Sequence, residues 1–193
     1  MKVAGGLGLA LGCAVLVGGC THVGQTSADV LPTRVETPEF SFARPDGDGW
    51  YRIDTLNPPT VIEFTRRSPA AERKIEVTSV ETPQPVANLD ELTEWVENLP
   101  EGDPRIWPAP GHGAVCVRNH GSTSVTVHVV LEGTDYPDRM IAVEDSLECV
   151  DPASSARILR FVFSQRSRSG GNLEGEREAD AFLGSVQFNV AKN

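Results

Sequence analysis

The chain has 193 residues, with 17 Lys and Arg against 27 Asp and Glu, and carries a formal net charge of −10. Nucleic acids and anionic lipid surfaces draw their affinity from clustered basic side chains, so this balance argues against both as partners. A hydrophobic fraction of 39% that includes runs such as SVTVHVVL and RILRFVF excludes disorder of the chain as a whole.

The first element is a leader. Lys2 precedes 17 uncharged residues, Val3 to Gly19, six of them Gly. A positive start, an apolar middle and a small-residue end are the layout of a secretory signal peptide. Seventeen residues lie at the short limit of a membrane span, and each Gly costs about 1 kcal/mol of helix propensity, so cleavage is favoured over an uncleaved helix. The residues that close the leader, VGGC at 17–20, resemble the bacterial lipobox. The resemblance implies a signal peptide over 1–19, cleavage before Cys20, a diacylglyceryl group on its sulfur and acylation of the new amine by a palmitate-type chain. Two or three acyl chains anchor stably, since each buried CH₂ contributes about 0.8 kcal/mol. Thr21 stands where an aspartate would mark inner-membrane retention in this class, which points to the outer membrane of a bacterial envelope, facing periplasm or surface. The membrane, through this lipid anchor, is the first expected partner.

Residues 20–37, with Pro32 and scattered Ser and Thr, show no apolar period and read as a flexible tether; a single domain is expected over 38–193. It opens with EFSFARP, which alternates Phe40 and Phe42 inward, and DGDGWYRI adds an Asp-Gly turn and a strand, suggesting a hairpin. TVIEFTRR at 60–67 and RKIEVTSVE at 73–81 alternate apolar and polar residues as a second strand pair. Asn88 is placed to cap a helix through NLDELTEWVENL, with Glu91 in capping-box position, an apolar stripe of Leu89, Leu92, Val96 and Leu99, and a solvated acidic face. The Pro/Gly-rich loop GDPRIWPAPGHG at 102–113 carries Trp107, a candidate partner contact. Gly111, Gly113 and Gly121 read as turns, and strands are expected at 113–119, 124–132, 138–144 and 157–165. After a flexible, solvated RSRSGGNLEGE, which holds Arg166 and Arg168, EREADAFLGSVQF puts Ala179, Phe182, Leu183 and Val186 on one helical stripe. The sum is an α+β fold, a mostly antiparallel sheet with two main helices.

With Cys13 in the leader and Cys20 lipidated, Cys116 and Cys149 form an even pair in an oxidising compartment, and a disulfide between two strand ends is expected. His112, Cys116 and His120 are spaced by four, with His128 beyond, which on a helix would gather zinc ligands; the region has a strand period, which disperses them, so no metal or other cofactor is expected. A metal-binding or hydrolase alternative would use His112 and His120 with Asp135 and Asp138. The chain carries no G-x-S-x-G, H-E-x-x-H, P-loop or paired C-x-x-C.

FSFARPDGDGW, IEFTRR, ECVDP, FSQRSR and the terminal ADAFLGSVQF, in this order, resemble the Mog1/PsbP-like family among small bacterial lipoproteins. The resemblance implies an α/β/α sandwich that serves as a scaffolding or accessory module. A non-enzymatic envelope lipoprotein that binds another envelope protein is the expectation from sequence.

Overall fold

The computed structural model describes residues 25–26, 33–53, 57–68, 71–99, 105–131, 134–168 and 172–189, with backbone only at 25–26, 127–131 and 134–137. Among them the strands and helices run β1 (Gln25–Thr26), β2 (Arg34–Glu36), β3 (Phe40–Ala43), β4 (Trp50–Ile53), β5 (Thr60–Arg67), β6 (Ala71–Glu81), α1 (Leu89–Glu97), β7 (Arg105–Pro108), β8 (Cys116–Leu131), β9 (Thr134–Asp151), β10 (Ser154–Ser167), α2 (Leu173–Gly184) and β11 (Gln187–Phe188). Eight strands form one antiparallel sheet in the order β1-β4-β5-β6-β10-β9-β8-β7, and β11-β3-β2 form a second of three. The fold is α+β and mostly antiparallel sheet.

Strand alternation sorts the core into two layers. In β10, Leu159, Phe161 and Phe163 face one way and Ile158 and Val162 the other, all buried. The first face carries the small sheet and α2, whose Ala179, Phe182 and Leu183 are buried. Phe161 there meets Phe40, Phe42 and Phe188 edge to face, at centroid distances of 5.0, 6.4 and 6.0 Å. Each such ring contributes about 1.5–3 kcal/mol on burial. The opposite face carries α1 at one end, where Leu92 and Val96 join Val117, Val150 and Ile158 in a separate cluster. Asn88 caps α1 by accepting the Glu91 N–H at 3.0 Å, and Glu91 reaches back to the N–H of Ala87, one residue before the cap.

Several elements differ from the sequence reading. β3 and β4 are not a hairpin, since they belong to different sheets; Gly47 and Gly49, at φ 103° and 83°, turn the chain from one layer to the other. Gly121 makes no turn, because β8 runs straight through it with β9 in unbroken register. β9 extends to Asp151, well past the expected end at 144, paired to β8 on one side and β10 on the other. Trp107 lies on an edge strand rather than in a loop. α2 starts at Leu173, inside the stretch read as flexible, because Asn172 caps it by accepting the Gly175 N–H at 2.8 Å. Strands also begin before residue 38, at β1 and β2. The leader and Cys20 lie outside the described residues.

Candidate functional site

β7 is the last strand of the large sheet, and its side chains divide by alternation. Ile106 packs on the α1 cluster, which sends Trp107 to the opposite face, where it is 43% exposed. Trp107 stands directly opposite Arg118 of β8. The Arg118 guanidinium donates through Nη2 to Asp180 Oδ1 of α2 at 2.9 Å, and its Nε is buried without a partner. One step along the same face, His120 stands between Arg105 of β7 and Asp145 of β9. Its Nδ1 lies 3.0 Å from Asp145 Oδ1, which orients the ring.

On the other side of Arg118, Cys116 and Cys149 face each other with Sγ–Sγ 2.06 Å and Cα–Cα 4.2 Å, a disulfide across the sheet. The Val150 N–H donates to Val115 O, so residues 115 and 150 form a hydrogen-bonded pair and Cys116 and Cys149 a non-hydrogen-bonded one. Side chains approach most closely in pairs of that second kind. Cystine, arginine–tryptophan and histidine–aspartate rungs thus follow one another down the first face, at the sheet edge.

The other residues singled out from the sequence do not join this group. His112 is buried, with Nδ1 2.8 Å from Val186 O, while its own carbonyl accepts the Phe188 N–H; it ties its loop to the C-terminal segment. Gly111 and Gly113, at φ 96° and 82°, do turn the chain around it. Asp138 pairs in register with Val127, seven rungs from His120 and so about 23 Å along the strand. It accepts from Arg168 at 2.8 and 3.0 Å, and this hydrogen bond raises the guanidinium pKa above its ordinary value. The Asp135 and His128 side chains lie outside the described residues. Among the described residues no group of three or more His, Cys, Asp and Glu side chains is placed to hold a metal ion.

The chain matches no family model, no curated protein and no solved structure. The site is therefore read from its own geometry.

Three polar arrangements were not visible from sequence windows. Arg118 and Asp145 complete the edge group, and only strand register brings them there. On the opposite face Glu148 is fully buried and accepts from Ser146 at 2.8 Å and Arg160 Nε at 2.9 Å. Beside α2, Glu178 accepts from Arg66 at 2.6 Å and Arg73 at 3.0 Å, and Arg66 also lies 4.9 Å over the Trp50 ring. Glu174 joins Arg73 at 2.9 Å; that hydrogen bond lowers the Glu174 pKa and, outweighing burial, raises that of Arg73. The alternation of EDSLECVD, with polar residues at buried positions, was the one available signal for Glu148.

A four-residue edge strand with a half-exposed indole can do two things chemically. Its outward positions are Ile106 and Pro108, of which only Ile106 has an N–H to offer a strand, whereas the Trp107 ring beside a guanidinium can anchor an apolar or aromatic side chain.

Proposed function

We propose that the protein is a non-enzymatic, lipid-anchored accessory module of a bacterial envelope, Mog1/PsbP-like in fold, that binds another envelope protein along the β7 edge with Trp107 as the anchor. The observation that carries the reading is Trp107, 43% exposed on the terminal strand of the sheet. Large aromatics placed so are enriched where proteins bind. The sheet order adds a geometric argument. β1 and β7 are its two opposite edges, seven inter-strand steps of about 4.8 Å apart, or roughly 34 Å. A lipid on Cys20, five residues before β1, would leave from one edge and the indole would meet its partner at the other.

Affinity capture from detergent-solubilised envelope tests this. A reproducible partner recovered with wild type and lost with Trp107→Ala is expected, and a partner set indifferent to Trp107→Ala would end the proposal. The hydrolase alternative has the His120–Asp145 pair in its favour; ester or amide turnover by wild type that both His120→Ala and Asp145→Asn abolish would replace the binding reading.

A further inference from the structure

Arg44 is a charged side chain in a core position. It follows β3, and Pro45 behind it restricts its backbone to extended conformations, so the alternation of Phe40 and Phe42 carries on and the side chain turns inward. Strand pairing continues with it: Ala43 stands opposite Arg34 of β2, and the Arg44 N–H donates to Thr33 O at 2.9 Å. The residue is 8% exposed. Its Nη1 donates to Pro45 O at 3.1 Å, its Nε is buried without a partner, and among the described residues no carboxylate forms an ion pair with it. Arg66, Arg73, Arg118 and Arg160, also largely buried, each meet a carboxylate. A buried cation without an acid is costly, and burial accordingly pulls the Arg44 pKa below its ordinary value, more strongly than Asp46 pushes it up.

The guanidinium does not sit in sealed packing. Arg44 lines an open cleft of about 240 Å³ between the paired ends of β2 and β3 and Ala181 of α2, with Thr33, Arg34 and Asp46 also on its walls. Ser185, which caps α2, accepts the Ala43 N–H at 2.7 Å and holds the helix end to this strand. Arg34 spends Nη2 on Ser41 Oγ at 2.6 Å and has Glu36 3.9 Å from its Nε. The charge left without a contact on these walls is therefore that of Arg44, one positive charge in a chain of net −10. One uncompensated guanidinium matches a monoanion, and Asp46 on the same wall would repel the second charge of a phosphate dianion. Carboxylate oxygens accept from a guanidinium in short, charge-assisted hydrogen bonds.

We propose that this cleft binds a ligand through its carboxylate, with Arg44 as the group that holds it and Arg34 beside it on the wall. No residue of the β7 edge lines the cleft among the described residues, so this site stands or falls apart from Trp107.

NMR titration of the full chain in mild detergent with N-acetylglycine, at constant ionic strength, tests the proposal. Saturable shifts are expected at the Thr33, Arg34 and Asp46 amides and at the Arg44 Nε–H. Binding should weaken at least about tenfold in Arg44→Met and less in Arg34→Met. Asp29, the one acid among residues 27–32, lies close in sequence to Thr33, and Asp29→Asn should leave the response unchanged. Urea denaturation without ligand is the second readout. Arg44→Met puts an apolar chain in place of an unpaired buried charge and should be at least as stable as wild type, whereas a guanidinium with a purely structural role would leave it weaker. The absence of a saturable response, a response that Arg44→Met retains or that appears only in Asp29→Asn, tighter binding of inorganic phosphate than of N-acetylglycine, or a ligand-free Arg44→Met clearly less stable than wild type would overturn it.

Discussion

Opening the Cys116–Cys149 bridge measures how far it, rather than the core, holds β8 to β9. The two cysteines are 33 residues apart, and closing a loop of that length lowers the entropy of the unfolded chain by an amount worth about 3–4 kcal/mol. For a domain of this size each kcal/mol moves the midpoint by about 2–4 °C, so reduction should lower Tm by roughly 7–15 °C. Both sulfurs are buried in the main cluster, so Cys116→Ala/Cys149→Ala loses packing as well as the cross-link and should fall below reduced wild type. Urea denaturation of oxidised wild type, reduced wild type and the double variant separates the two contributions. The reduced chain should also show a steeper denaturant dependence, because its unfolded state exposes more surface. Coincident curves for oxidised and reduced wild type, or Cys116 and Cys149 titrating as free thiols in the native protein, would refute the reasoning.

Glu178 bridges Arg66 and Arg73 with its side chain only 13% exposed; Glu178→Ala leaves Glu174 as their remaining carboxylate, 4.0 Å from Arg66 and 2.9 Å from Arg73, and should cost about 1.5–3 kcal/mol in chemical denaturation. Glu174→Ala, at a side chain 68% exposed, should barely move the midpoint, and the reverse ranking would contradict the assignment. A Cβ on Gly175 would stand 1.9 Å from Gln165 Oε1, so Gly175→Ala should destabilise by about 1–3 kcal/mol, most of it recovered in a Gln165→Ala background. Burial would raise the Glu76 pKa, but hydrogen bonds from Lys74 and Thr60 outweigh it and hold the carboxyl below its ordinary value. The folded chain therefore binds this proton less readily than the unfolded chain. The resulting stability is complete above the usual glutamate range near pH ~4.3 and is lost as pH falls through the lower folded value. Denaturation midpoints across that range should fall less steeply with acid in Glu76→Gln.

What the sequence disclosed depended on where each residue's partner lies. β5, β6, β10 and α1 are legible because their apolar spacing is local and their partners need not be known. β9 hides half its length because Asp145, Ser146 and Glu148 look like loop residues until His120 and Arg160 arrive from neighbouring strands for Asp145 and Glu148, and Ser146 donates to Glu148 within β9. The Asp-Gly turn before Trp50 has the chemistry of a hairpin, yet packing of Phe40 and Phe42 on Phe161 draws β3 into the other layer. At the site, Trp107 stands out by type, but Pro108 and the short length of β7 give an edge strand the composition of a loop. Sequence proximity offers His120 the acids Asp135 and Asp138, whereas register gives it Asp145.

The last strand completes a core begun by β3, nearly 150 residues earlier. Phe188 touches Phe40 and Phe161, and the Asn189 N–H donates to Glu39 O. A chain growing from its N-terminus therefore has no finished interior in this core until Phe188 has been made, and shorter nascent lengths lack the ring that packs on Phe40. The order of the residues thus acts as a timer, holding closure of this core until its most distant ring arrives.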